Sequence, residues 1–226
     1  MSRTVLVTGS NRGLGLEFVK QFSDKGYKVI ATCRRSNKAK ELHGISGDIE
    51  IKELDVEAEN QLRDLKDELL NNPIDIIVLN AEIVGQREIE IGNIDIDNMI
   101  DTFKINAIYN LKIIERLFQN VLLGKEKKIV VISSSMGSIE SNKSGGYYSY
   151  RGSKAALNAM IKSVAIDQEK NGIKFLILHP GWVGTEMGGP NADIDVTESI
   201  SGMIKVIEGD FNTGDFLDYK GHKIQW

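Results

Sequence analysis

The chain has 226 residues, of which 41% are hydrophobic and 27% charged. This composition is typical of a soluble globular protein, and the length allows one sizeable α/β core. The formal net charge is −4, so no basic excess indicates nucleic-acid binding. No apolar run approaches the roughly 18 residues that a membrane-spanning helix needs, and we expect a single domain over residues 1–226.

Cysteine and histidine usage further narrows the class of protein. Cys33 is the single cysteine, which excludes a disulfide within the chain and indicates a reducing compartment. The first residues lack the apolar region of a signal peptide, so we expect a cytoplasmic protein. His43, His179 and His222 are scattered along the chain without metal-ligand spacing. We therefore expect no metal site.

A short β-branched run, Thr4–Thr8, leads into a turn that contains Gly9, Gly13 and Gly15, and a helical pattern follows. Glycines allow positive φ angles and let a phosphate approach the main chain closely. The N-terminus of the helix then offers unpaired N–H groups to that phosphate. Glycines at this spacing, which differs from the commoner G-x-G-x-x-G, also suit plain tight packing. Their position between a first strand and a first helix favours nucleotide binding.

The second predicted strand, Lys28–Cys33, ends in Arg34 and Arg35. In dinucleotide-binding folds, an acidic residue near this point holds the ribose 2′-hydroxyl of NAD, whereas arginine accommodates the 2′-phosphate of NADP. No acidic residue occupies this strand end, and Arg12 adds a cation within the glycine turn. These arginines could simply be solvated loop charges, but their position favours NADP(H).

Strand and helix patterns continue to alternate through the rest of the chain. Further strands are predicted at 50–54, 74–79, 128–133 and 175–178 with a last one from 216, and helices at 57–70, 95–123, 150–170 and 197–208. This alternation predicts one doubly wound parallel sheet of about seven strands with helices on both faces.

Four further polar positions are candidates for chemistry. Tyr150 and Lys154 are four residues apart at the start of a helical pattern, so they share one helix face. A nearby ammonium group lowers the pKa of a phenol from its usual value of about 10; by itself the pair could be an ordinary surface pair. Ser134 follows a strand, where open α/β sheets place their ligands. Asn106 lies inside a predicted helix, where its amide is either exposed or required as a polar group.

The sequence resembles the short-chain dehydrogenase/reductase family over the whole chain, because it has a glycine turn, a strand-end serine and a Tyr-x-x-x-Lys motif in this order. The resemblance implies a Rossmann-type fold. The resemblance implies a catalytic set of Asn106, Ser134, Tyr150 and Lys154. Together with the position of the arginines, it implies the following NADP(H)-binding residues: Gly9, Asn11, Arg12, Gly13, Leu14, Gly15, Arg34, Arg35, Asp55, Val56, Asn80, Ala81, Tyr150, Lys154, Pro180, Gly181, Val183 and Thr185. Segments 11–15, 179–183 and 185–189 are most similar to the C-factor and sniffer-type carbonyl reductase branch.

The family's chemistry implies a role for each catalytic residue. The cofactor supplies a hydride to a carbonyl carbon, and Tyr150 donates a proton to the carbonyl oxygen or removes it from an alcohol. Ser134 binds the substrate oxygen. Lys154 lowers the pKa of the tyrosine and binds the cofactor ribose, and Asn106 holds a water molecule. The substrate is a small carbonyl compound or alcohol that the motifs do not identify.

The chain departs from the family at Glu82, which stands where the family has a glycine after Asn-Ala. Glu82 could crowd the cofactor or repel its phosphates, point to solvent, or pair with Arg87. A cofactor-binding signalling protein of C-factor type, with little or no turnover, is the alternative function. An epimerase or dehydratase of the extended family needs a larger C-terminal region than the 41 residues (226 − 185) after Thr185. By family analogy we expect a homodimer or homo-oligomer that uses the helices at 95–123 and 150–170.

Overall fold

The computed structural model describes residues 2–87 and 91–226. Its centre is a parallel sheet of seven strands in the order β3-β2-β1-β4-β5-β6-β7. The strands are β1 Thr4–Thr8, β2 Lys28–Cys33, β3 Ile49–Glu53, β4 Ile76–Leu79, β5 Lys128–Ile132, β6 Lys174–His179 and β7 Asp215–Asp218. The helices are α1 Gly13–Asp24, α2 Lys40–His43, α3 Glu59–Glu68, α4 Ile96–Phe103, α5 Tyr109–Leu123, α6 Tyr148–Asp167 and α7 Val196–Glu208.

Helices cover both faces of the sheet, which explains why its strands are apolar almost throughout. Successive side chains of a strand point to opposite faces. In β1, Val5 and Val7 belong to one core, which includes Phe18 of α1 and Met203 of α7. Leu6 belongs to the second core, with residues from α3, α5 and α6. The prediction of a doubly wound parallel sheet with helices on both faces is confirmed.

The order of the strands reverses beside β1, which lies between β2 and β4. In open α/β sheets, ligands bind outside the carboxyl ends of the strands at such a switch point. The glycine turn follows β1, and the Asn80 segment follows β4, so both meet at this edge.

The helix predicted over 95–123 is present from Ile96 to Leu123, but it is not α-helical throughout. A π-helical turn, Lys104–Ile108, separates α4 from α5, and Asn106 lies within that turn. The apolar spacing continues through the turn, so the sequence pattern did not reveal the π-helical turn. A short 3₁₀ turn, Ser36–Lys38, and α2 were also not predicted.

None of the described helices is both long and apolar enough to cross a membrane. Among the residues that the structure describes, no three or more His, Cys, Asp or Glu side chains cluster as ligands for a metal ion.

Candidate active site

The turn after β1 brings the main chain of α1 close to the sheet. Gly9 and Gly13 have φ angles of 67° and 54°, a region that side chains disfavour. A Cβ atom on Gly15 would lie 2.1 Å from the carbonyl oxygen of Gly9, so any other residue there would push the helix off the turn. At the start of α1, the Arg12 side chain makes no capping hydrogen bond. The first-turn N–H groups are therefore suited to a phosphate.

A cleft of about 450 Å³ opens beside this turn. Its walls include eleven of the predicted cofactor-binding residues: Gly9, Asn11, Arg12, Gly13, Leu14, Arg34, Asp55, Val56, Asn80, Ala81 and Thr185. Seven other predicted residues lie outside the cleft walls: Gly15, Arg35, Tyr150, Lys154, Pro180, Gly181 and Val183. The walls also include residues that were not predicted: Cys33, Leu54, Glu57, Glu82, Ile83, Val84, Gly85, Arg87, Ile105, Glu186 and Met187.

The arginines expected at the cofactor's 2′-phosphate take different positions. Arg34 lines the cleft, whereas Arg35 is exposed outside its walls. Arg12 lines the cleft and forms an ion pair with Glu186, which lies in the segment after β6. Both partners of this pair are exposed, with 62% and 79% of their side-chain surfaces accessible. Such a pair is weak and exchanges readily for another anion.

The segment after β4 is tied to the end of β1. The hydroxyl of Thr8 accepts hydrogen bonds from the backbone N–H groups of Asn80, at 2.9 Å, and of Ala81, at 3.1 Å. The side-chain amide of Asn80 donates to the carbonyl oxygens of Thr8 and Gly9. These bonds hold one side of the cleft in register with the glycine turn.

Asn106 is fully buried in the π-helical turn. Its Oδ1 accepts from the N–H of Ile83 at 2.9 Å, and its Nδ2 donates to the carbonyl oxygen of Ile83 at 2.8 Å. Nδ2 also donates to the Ser153 hydroxyl at 3.0 Å. The amide is therefore required as a polar group rather than exposed. It joins the loop after β4 to helix α6.

Tyr150, Lys154 and Ser134 come together at the carboxyl end of β5. All three are buried, with Tyr150 and Ser134 8% exposed and Lys154 1% exposed. The Lys154 ammonium lies 5.7 Å from the centre of the Tyr150 ring and donates to the carbonyl oxygen of Ile132 at 2.8 Å. The Ser134 hydroxyl accepts from the N–H of Met136 and thereby caps a short 3₁₀ turn.

Glu82 enters this group, which the sequence did not predict. Its carboxylate forms an ion pair with Lys154, and the Tyr150 hydroxyl lies 3.4 Å from the same oxygen, Oε2. Arg87, which was considered as a partner of Glu82, donates instead to the carbonyl oxygen of Met187 at 3.0 Å. Glu82 also lines the cleft, so it links the cleft to the buried tyrosine.

In this structure the pKa of Tyr150 is raised rather than lowered. Burial raises the pKa of the phenol well above its usual value, and the negative charge of Glu82 raises it further. A hydrogen bond with Ser134 acts in the opposite direction, to lower that pKa. Because the Glu82 carboxylate pairs directly with the ammonium, the charge that should stabilise a phenolate is cancelled beside it.

Comparison with known proteins identifies the family. The short chain dehydrogenase model matches residues 3–194. The C-signal protein of Myxococcus xanthus is 37% identical over 156 residues, which cover 68% of this chain and 93% of that protein. The 1-hydroxy-2-glutathionyl-2-methyl-3-butene dehydrogenase of Rhodococcus sp. is 30% identical over 230 residues and 99% of both chains. The chain belongs to the short chain dehydrogenase family.

Solved structures point to the same branch of that family. The carbonyl reductase Sniffer of D. melanogaster superimposes with a TM-score of 0.94, at 29% identity and 100% coverage of both chains. The NADPH-bound carbonyl reductase from chicken fatty liver superimposes with a TM-score of 0.89, at 29% identity, covering 100% of this chain and 99% of that one. The predicted resemblance to the C-factor and sniffer-type branch is confirmed.

Proposed function

We propose that this protein is an NADP(H)-dependent oxidoreductase of the carbonyl reductase type. It transfers a hydride between the nicotinamide and a carbonyl or secondary alcohol. The observation that carries this proposal is the meeting of Tyr150, Ser134 and Lys154 at the edge of the sheet where the glycine turn opens a cleft. Tyrosine, serine and lysine at one buried point suit proton transfer to a substrate oxygen.

The cleft suits a phosphorylated dinucleotide. The uncapped start of α1 supports binding of a diphosphate, and Arg12 and Arg34 in the cleft walls support binding of a 2′-phosphate. The structural neighbour from chicken fatty liver contains NADPH. Asp55, also in the wall, is proposed to contact the adenine, and Thr185 the nicotinamide end.

The chain's own residues move the proton. When bound, the cofactor supplies or accepts the hydride. Tyr150 donates its phenolic proton to the substrate oxygen during reduction and takes a proton from the alcohol during oxidation. Ser134 hydrogen-bonds that oxygen and stabilises the charge that develops on it. Asn106 is a positioning residue, because its amide already bonds to Ile83 and Ser153.

Replacement of the tyrosine tests this function. Tyr150→Phe keeps the ring but removes the acid, so turnover of a panel of aldehydes, ketones and quinones should fall by about 10²–10⁴-fold. The dissociation constant for NADPH, measured by calorimetry, should stay at the wild-type value. Wild-type protein should also bind NADPH more tightly than NADH. Retained turnover in the variant would contradict the role of Tyr150, and a preference for NADH would contradict the cofactor.

A signalling role without turnover, as considered for the C-factor branch, is not favoured. The dehydrogenase relative from Rhodococcus spans 99% of the chain. The three residues suited to proton transfer are present together and buried, although a cofactor-binding sensor has no need of them.

Two wider properties complete the proposal. We propose a homodimer formed through α4, α5 and α6, because these helices and the π-helical turn between α4 and α5 expose apolar side chains: Ile96, Ile100, Ile108, Leu123 and Ile166. We also propose a cytoplasmic location, since the single cysteine, Cys33, is a buried free thiol.

A further inference from the structure

The main chain on both sides of Glu82 is held in place. Ala81 donates its N–H to the Thr8 hydroxyl at 3.1 Å. Ile83 exchanges two hydrogen bonds with the side chain of Asn106. Glu82 is not among the described non-glycine residues with positive φ, so this position does not need glycine. The backbone therefore presents any side chain at this position to the same point.

That point lies between the cleft and the buried tyrosine. The side chain of Glu82 is only 13% exposed, and its Oε2 contacts both the Lys154 ammonium and the Tyr150 hydroxyl. In the described structure, the charged groups that face the hydroxyl are Glu82, from the segment after β4, and Lys154, from α6. Ser134, in the segment after β5, is a neutral polar group beside the phenol, and Asn106 of the π-helical turn, which bonds to Ser153, is also neutral.

The electrostatic consequence follows from these contacts. A carboxylate within about 4 Å opposes formation of a second negative charge, and burial strengthens the effect because little water screens it. The ammonium favours the phenolate, but the carboxylate that pairs with it removes most of its field at the phenol. The raised pKa of Tyr150 agrees with this balance.

We propose that Glu82 is a positioning residue that holds Lys154 and keeps Tyr150 protonated, which suits the site to carbonyl reduction and moves alcohol oxidation to more alkaline solution. The inference rests on the proposed function. In reduction, the phenolic O–H bond breaks and its proton goes to the oxygen of the carbonyl whose carbon receives the hydride. In oxidation, the phenolate must exist first, because it takes the proton of the alcohol. The equilibrium constant is unchanged; Glu82 alters the pH range in which each direction is fast.

The variant Glu82→Gln tests the inference, because it keeps the size of the side chain and removes its charge. For oxidation of a secondary alcohol with NADP⁺, the rising limb of the pH profile of kcat/KM should move at least one pH unit towards neutrality. On that limb the variant should be about tenfold faster than wild type at the same pH. Ultraviolet titration of the Tyr150 phenolate should shift in the same direction, with the signal isolated by subtracting the Tyr150→Phe counterpart of each protein.

Controls separate this inference from the proposed function. Glu115→Gln removes an exposed carboxylate on α5 that pairs with Lys112, and it should leave both curves at their wild-type positions. Glu82→Gly should shift both curves as the glutamine variant does, and it serves if that variant fails to fold. Coincident curves for wild type and an active Glu82 variant would overturn the inference and leave the reductase function standing. A wild type without any turnover would overturn that function, while the phenolate titration would still decide the role of Glu82.

Discussion

At the scale of single residues, the behaviour of Tyr150 depends on a group outside the Tyr-x-x-x-Lys motif. The helical spacing does bring Lys154 to within 5.7 Å of the ring centre. Glu82, 68 positions earlier in the chain, then pairs with the ammonium and contacts the phenol. A motif of two residues thus sets a distance, whereas burial and all the charges within a few ångströms together set the pKa of the phenol.

His179, at the end of β6, gives a prediction for stability. Its Nδ1 is buried without a hydrogen-bond partner among the described residues, and burial lowers its pKa from 6.5 to about 4. As the pH falls below about 6.5, the unfolded chain gains a proton that the folded chain excludes until about pH 4. The free energy of unfolding should therefore decrease over this range, by up to about 3 kcal/mol.

Urea unfolding as a function of pH measures this effect. His179→Gln should lose most of the decrease between neutral pH and about 4, because glutamine does not titrate. His43→Gln replaces an exposed imidazole. In this variant the free energy of unfolding should change with pH as it does in wild type. If the free energy of unfolding depends on pH equally in wild type and in His179→Gln, another group causes the decrease.

At the scale of elements, the π-helical turn carries a polar residue that joins two other segments of the chain. Asn106 is buried, and its amide bonds to Ile83 on one side and to Ser153 of α6 on the other. A π turn contains an extra residue relative to an α-helix and commonly occurs at functional sites. Here it ties helix α6, which carries Tyr150, to the loop that carries Glu82.

A second buried polar residue joins the amino ends of the strands, at the edge of the sheet opposite the candidate site. Asp75, 6% exposed before β4, accepts hydrogen bonds from the N–H groups of Thr4, at 2.8 Å, and Lys125, at 2.7 Å. Asp75→Ala leaves these donors unpaired, so the free energy of unfolding should fall by about 3 kcal/mol. The site is at the other edge of the sheet, and kcat of the folded variant should be unchanged.

Chemical denaturation of Asp75→Ala and of a matched variant checks this. Asp67→Ala removes an exposed carboxylate of α3 and should change the unfolding free energy by no more than about 0.5 kcal/mol. Equal stability of the two variants would mean that water replaces the Asp75 carboxylate at no cost.

At the scale of the whole molecule, strand order assembles the site. Because β4 lies beside β1 and β5 lies beside β4, the segments after these strands meet at one edge. They bring the glycine turn, Glu82 and Ser134 together although more than 100 residues separate the first from the last. Helix α6 then supplies Tyr150 and Lys154 from the same edge.

The proposed dimer belongs to this scale. Ile100 of α4 and Ile108 of the π-helical turn are 45% and 48% exposed. Exposed apolar side chains of this kind contact water unfavourably unless another protein surface covers them. The double variant Ile100→Glu/Ile108→Glu should convert the dimer to monomer, because charges are costly in a buried interface.

Analytical ultracentrifugation over a concentration series measures the state of each protein. Leu70→Glu changes an exposed apolar residue that follows α3, 64% accessible and outside the proposed interface. This variant should remain dimeric. A monomeric wild type at all concentrations would contradict the proposed dimer.

Much of the fold was predictable because its signals are local. Apolar runs such as β1, the glycine turn and the regular alternation of patterns predicted the doubly wound sheet, and the structure confirmed it. The π-helical turn at 104–108 was missed, because the apolar spacing continues through it and because Asn106 bonds there to Ile83, a residue distant in sequence.

The sequence patterns were enough to predict the sheet, and the resemblance that the motifs carry was enough to predict the family and the grouping of Tyr150, Ser134 and Lys154. Only the tertiary structure decided what surrounds the phenol. It turned Glu82 inward to pair with Lys154, not towards solvent or Arg87. The physical reason is that secondary structure follows from neighbours in sequence, whereas a protonation state follows from burial and from charges a few ångströms away, which the fold brings in from distant parts of the chain.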